Sequence, residues 1–161
     1  MPRLLLLGAL LLSGCSLFGD SDDAISSTTV LASGASYGLC FGYCLTDLRV
    51  TQDRGVSVAT ITWSGWTSEV EPVSASRVLT TSEAEALEHA FDRKRLLEAE
   101  DVYGCPGCDD GGSEYVELSD GSVEKRVTFE AGADVPGLDA YIAVMRDVRA
   151  SFAEQAPAYA P

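Results

Sequence analysis

The stretch EYVELSDGSVEKRVTFE, residues 114–130, decides the fold class. Asp120-Gly121 lies between two β-prone runs, and this pair tolerates the positive φ angles that a tight hairpin turn requires. It predicts strands over residues 114–118 and 122–130, joined through Ser119-Asp120-Gly121. Along the second strand Val123, Lys125, Val127 and Phe129 fall on one face, and Glu124, Arg126 and Thr128 on the other. One face is apolar enough to bury and the other is not, so a sheet covered on one side is expected.

Toward the C-terminus, Val135-Pro136-Gly137 leads into a helix. Leu138, Tyr141, Ile142, Met145, Val148 and Phe152 recur at intervals of three and four, a continuous stripe that would pack on the sheet. An Ala/Pro-rich tail follows over 154–161. Toward the N-terminus, CPGCDDGG over 105–112 reads as loop. Before it, a helix is expected from Thr80 to near Ala99, with Leu87, Ala90, Phe91 and Leu97 on one face. Thr80 with Glu83, or Ser82 with Glu85, fits a capping box. Earlier still, LTDLRVT (45–51), the turn-like QDRG (52–55) and β-branched VSVATITW (56–63) form a second hairpin. Pro72 restricts residues 69–78 to an edge strand or extended loop. The order predicts one α+β domain over residues 36–153, an antiparallel sheet of about four to five strands with two helices packed on one side.

Residues 1–14 form a leader, with Arg3 near its start and an apolar run from Leu4 to Leu12. That run is far short of the ~20 residues of a membrane-spanning helix and describes a secretory signal peptide. Its end, Leu12-Ser13-Gly14-Cys15, resembles the lipobox of bacterial prolipoproteins. The resemblance implies cleavage before Cys15, a diacylglycerol on its sulfur and acylation, such as palmitate, of the new amino group. An ordinary secretory peptide would instead leave Cys15 as a thiol. Ser16, rather than Asp, after the cysteine resembles an outer-membrane sorting signal, so the implied address is the bacterial cell envelope, facing periplasm or surface. Residues 15–35, rich in Ser, Asp, Thr, Gly and Ala, read as a lipidated cysteine and flexible tether.

The chain carries 25 acidic and 11 basic residues, a net charge of −14. Such a surface repels phosphate backbones, which excludes nucleic acid as a natural partner. It also disfavours lying on anionic lipid, so the membrane partner would be reached through the anchor alone.

Beyond Cys15, the cysteines are Cys40, Cys44, Cys105 and Cys108, an even number suited to disulfides in an oxidising compartment. Three connectivities are open. A bridge joining the two clusters would constrain the unfolded chain by about 4 kcal/mol against about 2 kcal/mol for a local one, while sequence proximity favours local pairing. Residues 40 and 44 of an extended chain would be ~13 Å apart, beyond the ~7 Å reach of a bridge, so local pairing requires a turn there, which Gly42 permits. SYGLCFGYC (36–44) followed by GCPGCDDGG (104–112) resembles an uncharacterised family of bacterial secreted and lipid-anchored proteins. Relatives of that type carry a Cys-x-Gly-x-Cys element before the first strand without the second pair, which implies local Cys40–Cys44 bridging. The order of elements over 36–153 is similar, more loosely, to emfourin-type inhibitors of thermolysin-like metalloproteases. That likeness implies an inhibitory role and carries over no site residue.

Cys105-Pro-Gly-Cys108 also has the form of a redox pair, but thiol–disulfide exchange needs the first cysteine at a helix N-terminus, where its pKa falls. Asp109, Asp110 and two glycines follow instead. The four cysteines have spacings acceptable for structural zinc, the one cofactor alternative to none. Asp109, Asp110 and Glu114 miss the EF-hand pattern. His89, the sole histidine, sits among charges with no nucleophile motif. Trp63 and Trp66 flank Ser64-Gly65 and form a candidate patch for a protein or glycan partner, the alternative being packing over the sheet edge. The expectation is a lipid-anchored, non-catalytic binding or structural module. A thiol–disulfide oxidoreductase using Cys105 and Cys108, or an emfourin-like inhibitor, is the alternative.

Overall fold

The computed structural model describes residues 29–158. Cys15, the leader and most of the expected tether lie outside them. Seven strands form one sheet: β1 (Val30–Ser36), β2 (Leu45–Asp53), β3 (Val56–Ser64), β4 (Val73–Val78), β5 (Val102–Tyr103), β6 (Ser113–Ser119) and β7 (Glu124–Glu130). Their spatial order is β4-β3-β2-β1-β6-β7-β5. Every pairing is antiparallel except β5 with β7, which is parallel. Three short helices, α1 (Thr81–Ala90), α2 (Arg93–Glu98) and α3 (Asp139–Ala150), complete the regular structure of the described residues together with two single turns of 3-10 helix.

This corrects the expected sheet of four to five antiparallel strands with two helices. The sheet has seven strands and is mixed. The largest difference is β1, whose residues VLASGAS resemble a tether in composition yet occupy the centre of the sheet, between β2 and β6. Small side chains are what that position requires. Leu31, Ser33 and Ala35 face the helices, while Ala32 and Gly34 lie beneath long side chains of neighbouring strands on the opposite face. Two-residue β5 has no alternation to detect. The expected helix from Thr80 to Ala99 is also broken. Phe91 leaves α1 in an extended conformation, and the Asp92 carboxylate accepts from the Arg95 amide at 2.9 Å to cap α2. The break lets both Phe91 and Leu96 enter the core.

Other local expectations match. Thr80 and Glu83 form the reciprocal capping box, and the segment after Pro72 is the edge strand β4. The core collects Leu31, Leu48, Ile61, Trp63, Val116, Val127 and Phe129 from one sheet face against Leu87, Leu96, Tyr141, Met145 and Phe152. Phe91 meets Tyr141 edge to face at 5.5 Å. Arg77 of β4 staples the layers: its guanidinium donates to both Glu83 oxygens (2.6 and 2.9 Å) and to Ser151 Oγ, and lies 5.1 Å from the Phe152 ring centre.

None of the described helices covers the opposite face. It is organised by polar pairs, Thr60–Ser76 and Thr62–Ser74, each 2.8 Å between hydroxyls. At its centre the Tyr115 ring lies across Gly34 and its hydroxyl donates to Asp47 on the far side of β1. Arg126 stacks 4.0 Å over that ring and donates to Glu117 at 2.6 Å. A methyl group at residue 34 would meet both the Tyr115 ring and the Thr46 carbonyl oxygen.

Gly34→Ala is therefore expected to destabilise the protein by about 2 kcal/mol, read from the urea midpoint, because neither neighbour can yield without disturbing the sheet. Tyr141→Phe should act oppositely. The Tyr141 hydroxyl is buried with no hydrogen-bond partner among the described residues, so its removal should stabilise by about 1 kcal/mol and raise the melting temperature.

Candidate functional site

The most unusual surface lies at the end of the sheet where β1 stops and β2 begins. Residues 37–44 leave β1, reverse direction through Gly42 (φ 85°) and return as β2. Cys40 and Cys44 close the reversal as a disulfide with Cα atoms 5.6 Å apart, and the Tyr37 amide donates to the Cys44 carbonyl at 3.1 Å. Cys44 is buried and roots the loop. At its tip, Leu39 is 86% and Phe41 96% exposed. Large apolar side chains held this far into water by a covalent clamp are not explained by packing, since the clamp prevents the tip from folding back.

Neighbouring loops brace the clamp. The indole Nε1 of Trp66 donates to the Tyr37 carbonyl at 3.3 Å, and its ring remains 56% exposed. Gly38 lies against the backbone of Asp110, leaving no room for a side chain. That contact brings in the second disulfide, Cys105–Cys108, with Cα atoms 5.5 Å apart. Both cysteine pairs are thus local, and both loops sit at the same end of the molecule. Asp109 and Asp110 adopt left-handed φ angles of 50° and 59°, and both are exposed beside the apolar tip.

The predicted site residues separate on the structure. Cys40, Cys44, Cys105 and Cys108 form two bridges rather than one cluster, and among the described residues no group of three or more His, Cys, Asp or Glu is placed to hold a metal ion. Cys108 opens only one turn of 3-10 helix, and the Cys105 amide donates to the Glu130 carboxylate at 2.6 Å. The surroundings of that pair are carboxylates, which disfavour a thiolate. Trp63 and Trp66 do not share a patch, because Trp63 is a core residue at 3% exposure. Leu39 and Phe41, which sequence reasoning passed over, take the place of Trp63 beside Trp66. Their only signal was position, apolar residues alternating with Gly and Cys in SYGLCFGYC.

A second feature lies on the helix side of the same end. Glu114 of β6 is buried, and its carboxylate accepts from Arg146 Nε and Nη2 (3.0–3.2 Å), from Arg149 Nη2 and from the Gly132 amide at 2.8 Å. Arg149 also donates to Ser33 Oγ of β1 at 2.9 Å, and Arg146 to the Ala133 carbonyl. Glu114 is accordingly an ion-pair centre and not a partner of Asp109 and Asp110. Burial pushes its carboxyl up; the bonds from Arg146, the Gly132 amide and Arg149 outweigh this and hold it below the ordinary 4.5. No protein-family model matches the chain, and no curated protein matches it.

Glu114→Gln should cost about 3 kcal/mol, because it leaves two largely buried guanidiniums without their anion. A carboxyl whose folded pKa is depressed contributes stability above its unfolded pKa and loses it as pH falls through the folded value. Glu83 behaves alike: the bond from Arg77 outweighs burial and holds it at about 2. Thermal unfolding followed from neutral pH down to about pH 2 is expected to show a progressive fall beginning near the ordinary carboxylate range, and a shallower one in Glu114→Gln.

Proposed function

We propose that the protein is a lipid-anchored, non-catalytic binding module of the bacterial cell envelope, and that its contact element is the Cys40–Cys44 loop. The observation that carries this reading is the near-complete exposure of Leu39 and Phe41 on a covalently closed loop, beside exposed Trp66. Aromatic and aliphatic anchors on a rigid support are the usual energetic centre of a protein interface, since little conformational freedom is lost when they are buried.

Charge and direction favour a protein partner over lipid. The chain is at −14, and Asp109 and Asp110 lie beside the loop, so an anionic bilayer would be repelled at the tip. The complementary surface is an apolar pocket rimmed by cationic groups. The anchor would also emerge from the other end of the molecule. β1 starts at Val30 and reaches the loop only after Ser36, so a chain attached through Cys15 enters at the end of the sheet away from the tip.

A photoreactive phenylalanine analogue placed at Phe41 in the cells that make the protein should give one discrete protein adduct. That adduct should disappear with Leu39→Ser and be absent when the probe replaces Val56, an exposed apolar residue at the opposite end of the sheet. Cys15→Ser should release the protein from the membrane fraction. If the Cys15→Ser protein still sediments with phosphatidylglycerol vesicles in a Phe41-dependent way, the tip is a lipid contact and the partner reading fails.

A further inference from the structure

Beneath the apolar loop, a cleft of about 280 Å³ opens between the end of the sheet and the C-terminal part of α3. Arg146 and Arg149 line one wall. The rest of the lining includes Tyr37 and Trp63 on the sheet side and Ala153 and Ala156 beyond α3. The ion pairs described above do not neutralise it. Two guanidiniums face one carboxylate, Glu114, whose oxygens already accept from both arginines and from the Gly132 amide. Among the described residues, Arg146 Nη1 and Arg149 Nε have no hydrogen-bond partner.

We propose that this cleft binds a small organic monoanion, a carboxylate carried on an apolar body, with the carboxylate at Arg146 and Arg149 and the body against Tyr37, Trp63 and the alanines. The charge count sets the monoanion, since one excess positive charge remains after Glu114 is paired. The aromatic and alanine walls set the apolar body, and the volume, at the small end of ligand sites, sets its size. With the other nitrogens engaged, Arg146 Nη1 and Arg149 Nε leave one charge-assisted donor from each guanidinium, one for each oxygen of a carboxylate. Leu39 and Phe41 do not line the cleft, so this site stands or falls independently of the loop's partner.

The test is titration of the full-length protein with sodium phenylacetate, followed by the side-chain Nε–H signals of Arg146 and Arg149 in NMR spectra. Saturable shifts of both signals are expected. Phenylacetamide, which has the shape without the charge, and acetate, which has the charge without the body, should each bind at least about tenfold more weakly. Ala153→Phe fills the cleft from the side away from the charges. It should weaken phenylacetate at least about tenfold while leaving the arginine signals of the free protein in place. The absence of a saturable shift by about 10 mM phenylacetate would overturn the proposal. So would equal binding of the amide or acetate, or undiminished binding to Ala153→Phe.

Discussion

One buried carboxylate holds the layers of this protein in register. Glu114 sits on β6, beside the central strand, and its two oxygens receive three donors from α3 and one from the turn after β7. Through Arg149 the same network reaches Ser33 on β1. Four segments distant in sequence are therefore tied to one charge. Desolvating such a group is costly, and an ion pair of this kind is weak evidence of added stability when compared with an apolar replacement. Its structural effect is directional. A purely apolar contact between α3 and the sheet would tolerate sliding, whereas four donors converging on one carboxylate allow a single placement of the helix.

The uncovered face follows another logic. There the sheet presents few apolar side chains, and long polar ones bridge across the small residues of β1. Tyr115 crosses Gly34 to reach Asp47, and Arg126 lies over Tyr115 while pairing with Glu117. Burial together with the bond to Asp47 pushes the Tyr115 hydroxyl well above its ordinary range, which keeps it a donor at physiological pH. The centre of the sheet is thus shielded from water by side chains lying along it.

Much of this architecture is legible in the sequence where a local rule acts alone. Asp120-Gly121 declares its hairpin, Thr80 and Glu83 their cap, Pro72 its edge strand, and the stripe from Leu138 to Phe152 its helix. The failures are places where tertiary context overrides composition. VLASGAS has almost no hydrophobic signal, because its neighbours supply the bulk that covers it. Phe91 fits the helical face by spacing, yet the Asp92 cap turns it elsewhere. The site divides in the same way. Cysteine spacing leaves three connectivities open, of which the structure has the two local ones, and exposure of Leu39 and Phe41 is a property of the closed loop and not of the residue types. The cleft was hidden because Arg146 and Arg149 fall outside the apolar stripe of α3, and only the fold brings Glu114 and Ser33 beneath them.

The position of β1 also sets an order of events during synthesis. Residues Val30–Ser36 are the first of the described strands to leave the ribosome, and one of their two partners, Ser113–Ser119, follows roughly 80 residues later. β2, β3 and β4 can assemble on β1 as a meander of neighbouring strands. The remaining edge of β1 stays open until β6 arrives, and α3, which carries the partners of Glu114, comes later still. Pairings this distant in sequence close slowly, because the chain between them must be ordered before the contact rewards it. A nascent chain of this protein therefore spends most of its elongation as an incomplete sheet in which β1 is paired on its β2 edge and open on the edge that β6 will later cover.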